Sequence, residues 1–198
     1  MMKSLLRLVA LLCGLIPAAA SAHPDIGGAT GFAHGFSHPF GGLDHVLAMV
    51  AIGLLAWHRG GRALWLLPLG FLTAMALGGA LAMAGVELPF VEIGIGLSVV
   101  VLGLVLASRV ALPTLAAMVL VAFFAVFHGY AHGAETAETM SGLAYSAGFL
   151  GATAFLHAIG IALGWGICRA ATAHGHGIVR AGGAAIACAG AIILSGVL

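Results

Sequence analysis

The chain contains no Asn and no Gln, and its single Lys is Lys3. Charged residues fill only 7% of its 198 positions, where a soluble domain carries roughly 25%. These shortages exclude several classes of function. Without a Lys beyond residue 3, nothing can play the phosphate-reaching part in a Walker-type loop, so an in-chain ATPase motor is excluded. Schiff-base chemistry with retinal or pyridoxal phosphate fails for the same reason. No basic patch of the kind that holds nucleic acid is present. Cysteine is scarce: Cys13, Cys168 and Cys188 form no C-x-x-C pair, which argues against a zinc ribbon or a dithiol centre.

What remains is apolar. Hydrophobic residues make up 62% of the chain and the mean hydropathy is +1.18. Such a chain is expected to be solvated by lipid rather than water. Residues 1–22 read as a secretory signal: Lys3 and Arg7 give a basic start, Leu8 to Ile16 a short apolar core, and Ala20-Ser21-Ala22 a cleavage site. Cleavage would leave a mature chain of residues 23–198, with five Arg against six acids. An uncleaved first span is the alternative, and the shortness of the apolar core argues against it.

A bilayer-crossing helix needs about 20 mostly apolar residues. Six such runs follow, at about 42–58, 62–84, 90–108, 111–131, 142–168 and 178–197. The expected fold is therefore all-α, a polytopic membrane protein of six transmembrane helices after a cleaved signal peptide. Cleavage puts the mature N-terminus outside. Arg59, Arg62, Arg109, Arg169 and Arg180 then all fall in or beside cytoplasmic loops, as basic residues should. Asp25, Glu87, Glu135 and Glu138 fall on or near the outer side. Cys168 then lies at the inner face, so a disulfide with Cys188 is not expected. Among 31 Gly, the pairs Gly129/Gly133 and Gly160/Gly164 have the spacing that lets helices approach closely in lipid. No internal repeat is evident in the residues, although transporters often hide an inverted three-plus-three repeat.

Against this background the ionisable groups stand out, because they are costly near an apolar core and mark function by default. His128, His132 and Glu135 are spaced i, i+4, i+7, one face of a helix at the outer end of the fourth run. His38, Asp44 and His45 surround the start of the first run, where Pro39 and Gly41-Gly42 interrupt regular helix. His38 should sit on an irregular turn, while Asp44 could cap the helix and still bind an ion. Glu92 lies near the outer end of the third run and His157 near the middle of the fifth. A mixture of imidazole and carboxylate suits divalent first-row transition metals. These eight residues are the candidate metal ligands. His34 extends the first cluster weakly. His23 could chelate through its imidazole and amine, whereas His58, beside Arg59, reads as interfacial. His174-Gly175-His176 could be a release site or an ordinary polar loop. Met49, Met75 and Met83 read as packing rather than as copper ligands.

The segment Gly35 to Pro39 through Asp44-His45-Val46-Leu47-Ala48-Met49 resembles the opening signature of the HupE/UreJ family, small nickel/cobalt permeases associated with hydrogenase and urease maturation. Phe127-His128-Gly129 through Glu135 resembles its second signature. Pro89 to Glu92 with Ser98, and Ala154 to His157 with Gly160, are similar to it too. The resemblance implies uptake of Ni²⁺ or Co²⁺ across the bacterial inner membrane, with His38, Asp44, His45, His128, His132 and Glu135 needed for transport. It also implies a cytoplasmic metallochaperone as a partner, and no organic cofactor. Some members carry a further His where this chain has Tyr130, which leaves metal preference open.

The residues thus suggest a permease in which the ion sheds water at the outer cluster and passes His157 on its way inward. Ligating His must be neutral, with a reference pKa of roughly 6.5, so uptake should fall in acid. Two rivals use the same groups. A metal-dependent intramembrane hydrolase would take Glu135 or Glu92 as base. A bis-His haem protein fits less well, since acids beside the His are not axial ligands.

Overall fold

The computed structural model describes residues 28–108, 110, 112–136 and 142–196. The expected signal at residues 1–22, with His23, Asp25, Arg109 and Glu138, lies outside the described residues. Seven α-helices and one 3-10 turn are described: α1 Gly28–Ser37, the turn His38–Phe40, α2 Leu43–Arg59, α3 Ala63–Met83, α4 Val91–Ala107, α5 Thr114–Thr136, α6 Gly142–Ala170 and α7 Gly175–Leu194. Helices α2 to α7 correspond in order to the six apolar runs. Four of them, α3, α5, α6 and α7, are long and apolar enough to cross a bilayer. Gly31–Phe40 and Leu43–Arg59 pass that test as a pair bent by 81°. At 17 residues, α4 is a shorter apolar helix.

Breaks between helices fall where glycine or proline forces them. Gly60 and Gly61 take positive φ (64° and 51°) between α2 and α3, and Gly85 (73°) follows α3. The bundle is assembled by pairs, α3 on α5, α4 on α7, and α2 on α6. Helix α2 is the central element: Ala51 to Ala56 are buried consecutively, with no face left for lipid. Around it lie Leu67 and Phe71 of α3, Val99 and Leu102 of α4, and Val121 of α5. Outward-facing side chains such as Trp65, Leu77, Leu104 and Phe123 are large, apolar and exposed, the surface a lipid-embedded bundle presents.

Close helix contacts rest on glycine. A Cβ on Gly129 would collide with the carbonyl of Met75, and one on Gly133 with the backbone of Gly79. Gly160 meets the Val50 carbonyl in the same way, while Gly164 faces the Trp57 ring. Both glycine pairs therefore pack helices. The helix α1, absent from the sequence expectation, is held likewise: Gly35 lies against the Tyr145 backbone and Gly148 against Phe32 and Phe36. Cys168 and Cys188 are both free thiols. Met49 and Met75 are core residues, whereas Met83 is exposed.

A candidate metal cleft

The interruption between α1 and α2 builds one wall of the site. Pro39 is buried in the 3-10 turn, Gly41 N–H donates to the His38 carbonyl (2.9 Å), and Gly42 is extended before α2 begins. His38 thus lies over the start of α2, on an irregular turn as the sequence suggested. Asp44 and His45 fall in the first turn of α2. Gly42, not Asp44, occupies the N-cap position. The Asp44 carboxylate instead accepts the His45 backbone N–H at 2.7 Å, one of the four donors a helix start leaves unpaired.

Opposite this wall, the last turns of α5 present His128 and His132 on one face. Ring centroids place His132 4.9 Å from His38 and 5.3 Å from His45, and His128 lies 5.2 Å from His45. Sites 83 residues apart in sequence, His45 and His128, bring their Nδ1 atoms to 3.3 Å. A cleft of about 680 Å³ opens above them. Its polar lining includes His34, His38, Asp44, Glu92 and His132. Of the eight candidate ligands, six therefore share one cavity: His38, Asp44, His45, Glu92, His128 and His132. Glu135 belongs to α5 by backbone, but its side chain lies outside the described residues.

His157 is placed apart. It does not line the cleft, and it is 1% exposed with neither ring nitrogen hydrogen-bonded. The Phe71 ring packs against both His157 and the cleft floor, its centroid 5.3 Å from that of His157 and 5.8 Å from that of His128. At the far end of the bundle, His58 and His176 lie 5.7 Å apart near the arginines of α2 and α7, with His174 exposed.

Hydroxyl groups fix the two buried imidazoles. Ser98 Oγ donates its one hydrogen to the Ile95 carbonyl (2.6 Å) and so accepts from His128 Nε2 at 2.9 Å. Thr153 Oγ1 donates to the Phe149 carbonyl (2.9 Å) and so accepts from His45 Nε2 at 3.4 Å. With either ring in the other tautomer the Nδ1–Nδ1 contact is an N–H···N hydrogen bond; with the hydroxyl hydrogens on those carbonyls, both rings carry their proton on Nε2 and two Nδ1 lone pairs face each other. That arrangement is unfavourable unless a cation or an extra proton lies between them. Metal–nitrogen bonds are about 2.0–2.1 Å, so donors 3.3 Å apart subtend roughly 104–111° at a shared ion. This is an acceptable angle for tetrahedral or distorted octahedral coordination. Among the described residues, no three His, Cys, Asp or Glu side chains already enclose one ion. The floor would therefore supply two ligands to such an ion, and further ligands would have to come from the cleft wall.

Sequence spacing could not reveal Thr153, Phe71 or Phe149 as parts of this site, and Ser98 stood out only through the family resemblance. Phe149 packs on His132 and His45, with centroids at 4.3 and 5.1 Å. Each belongs to a different turn of an apolar helix and carries no motif of its own. A lone hydroxyl in an apolar run was the only available signal, at Thr153, one turn before His157.

Comparison with known proteins follows the same residues. The HupE / UreJ protein family matches residues 10–193. Protein HupE of Rhizobium leguminosarum bv. viciae is 44% identical over 181 residues, covering 91% of this chain and 93% of that protein. No solved structure matches.

Proposed function

We propose a transport function for this chain, which belongs to the HupE/UreJ family. It is a permease that takes up a divalent transition metal, Ni²⁺ or Co²⁺, through the cleft. In this reading α2 to α7 all cross the bacterial inner membrane, residues 1–22 are removed as a signal peptide, and the cleft opens to the periplasm. The arginines at the opposite end of the bundle support that orientation. Asp44 and Glu92 at the rim attract the cation, His38 and His132 exchange for its water, and the His45–His128 pair receives it. His174 and His176, exposed at the other end, would face a cytoplasmic metallochaperone.

The observation that carries this proposal is the His45–His128 pair, with Nδ1 atoms 3.3 Å apart, at the floor of an acid-rimmed cleft. A hydrolase would also need a bound substrate beside a general base, and among the described residues no observation favours one. The test is uptake of Ni²⁺ and Co²⁺ into proteoliposomes, with Asp44→Ala and His45→Ala as controls. Uptake by the parent that both substitutions abolish is expected. Flux no greater than in empty liposomes would overturn the proposal.

A further inference from the structure

Two helix contacts in the bundle are copies of each other. Where α3 meets α5, a Cβ on Gly78 would strike the Val126 carbonyl and one on Gly129 the Met75 carbonyl. Where α6 meets α2, a Cβ on Gly160 would strike the Val50 carbonyl and one on Gly53 the His157 carbonyl. A shift of 76 residues carries Val50 and Gly53 onto Val126 and Gly129, and a shift of 82 carries Met75 and Gly78 onto His157 and Gly160. The remaining pair, α4 with α7, maps onto itself. With a shift of 83, the Ala107–Gly183 contact exchanges with Gly190–Val100, and in both the glycine Cβ would lie 2.7 Å from the partner nitrogen.

The sequence keeps a faint trace of the same relation. Val50-Ala51-Ile52-Gly53 answers Val126-Phe127-His128-Gly129. Ala76-Leu77-Gly78-Gly79-Ala80-Leu81 answers Ala158-Ile159-Gly160-Ile161-Ala162-Leu163. Three helices separate each element from its counterpart, so the two halves cross a membrane in opposite directions. That is the inverted-repeat plan of many secondary carriers.

The pseudo-symmetry is broken at the cleft. His45 corresponds to Val121, while His128, Ala131 and His132 correspond to Ile52, Leu55 and Ala56. His45, His128, Ala131 and His132 line the cleft, whereas Val121, Ile52, Leu55 and Ala56 pack together in the hydrophobic core. Helix α1 has no counterpart, since the matching residues span the end of α4 and the connection to α5. One end of a two-fold arrangement is open and its equivalent is shut.

We propose that the chain is an alternating-access carrier made of two inverted three-helix repeats, and that this structure is its cleft-open state. In the other state the crevice between Ile52, Ala56, Ala117 and Val121 opens at the arginine end, and the cleft closes. Both states reuse the two glycine-lined contacts; each joins a helix of one repeat to a helix of the other, so the rocking bodies are the α3–α5 and α2–α6 pairs. The inference deepens the transport reading and rests on it for the cargo alone.

Thiol accessibility in the full-length chain tests it. With Cys13, Cys168 and Cys188 replaced by Ser, Ser37→Cys reports on the cleft, where Ser37 is exposed. Ala117→Cys reports on the arginine end, with Ile52→Cys as a second reporter should the first not fold. A membrane-impermeant maleimide is applied from either face of oriented proteoliposomes, with Ni²⁺ uptake measured in parallel. The expected result is that each position reacts from its own face only, and that modification at 117 slows labelling at 37 at least tenfold. Positions 117 and 52 both inert while Ni²⁺ uptake runs at the parental rate would overturn the carrier. So would simultaneous, independent labelling of the two ends, which describes an open pore. Alternating labelling without Ni²⁺ uptake would keep the carrier and discard the metal as its cargo.

Discussion

The hydroxyls of Ser98 and Thr153 decide what the two buried imidazoles can do. By accepting hydrogen bonds from Nε2 they would hold both Nδ1 lone pairs toward one point. Removing such an orienting partner typically costs 10–100-fold in metal affinity. Ser98→Ala and Thr153→Val should each weaken Ni²⁺ binding about tenfold or more in a calorimetric titration, while the thermal midpoint changes little. The pair together should lose less than the product of the singles, because both act on one ligand pair. His157 behaves differently. Its two unpaired buried nitrogens each cost about 1–3 kcal/mol. His157→Leu should therefore leave the protein as stable or more stable, while Ni²⁺ uptake into liposomes falls. Unchanged uptake would make His157 a packing residue. The histidines and acids were legible in the sequence because an ionisable group stands out in an apolar run. The hydroxyl partner Thr153 was not, and Ser98 was so only through the resemblance, because Ser and Thr are unremarkable in a membrane helix and their partners lie 108 and 30 residues away.

At the level of elements, α2 to α7 were readable from apolar run length, and only their ends shifted. The run expected at 178–197 is observed as Gly175–Leu194, for example. Apolar length cannot place a first helical turn when His174, Gly175 and His176 belong to it. Helix α1 was missed for a physical reason. Its segment, Gly28–Ser37, holds three Gly and a His, a composition poor in helix propensity. Packing makes it helical, through Gly35 and Gly148 against α6. Tertiary contact of this kind leaves no local signal. The glycine contacts also set an expectation for substitution. Gly129→Val and Gly53→Val would push side chains into backbone, and overpacking costs about 1–3 kcal/mol or more. Gly166→Ala, which meets nothing within 4 Å, should be silent. Thermal unfolding in detergent would compare the three, and equal midpoints would refute the packing role.

Across the whole molecule, charge and openness are arranged end to end. Asp44 and Glu92 face the cleft, while Arg59, Arg62, Arg169 and Arg180 lie at the other end. In the proposed topology, six spans with an external mature N-terminus would place the C-terminus outside as well. A C-terminal alkaline phosphatase fusion should therefore be active and a green fluorescent protein fusion dark; a fluorescent fusion would invert or shorten the topology. The packed arginine end, with Ile52, Ala56, Ala117 and Val121 at 0% exposure, has an electrical meaning too. In the proposed carrier such a plug would leave no path for a file of water, and the cleft-open state would be an insulator. A cell could hold many copies without discharging the voltage and proton gradient on which its energy supply depends.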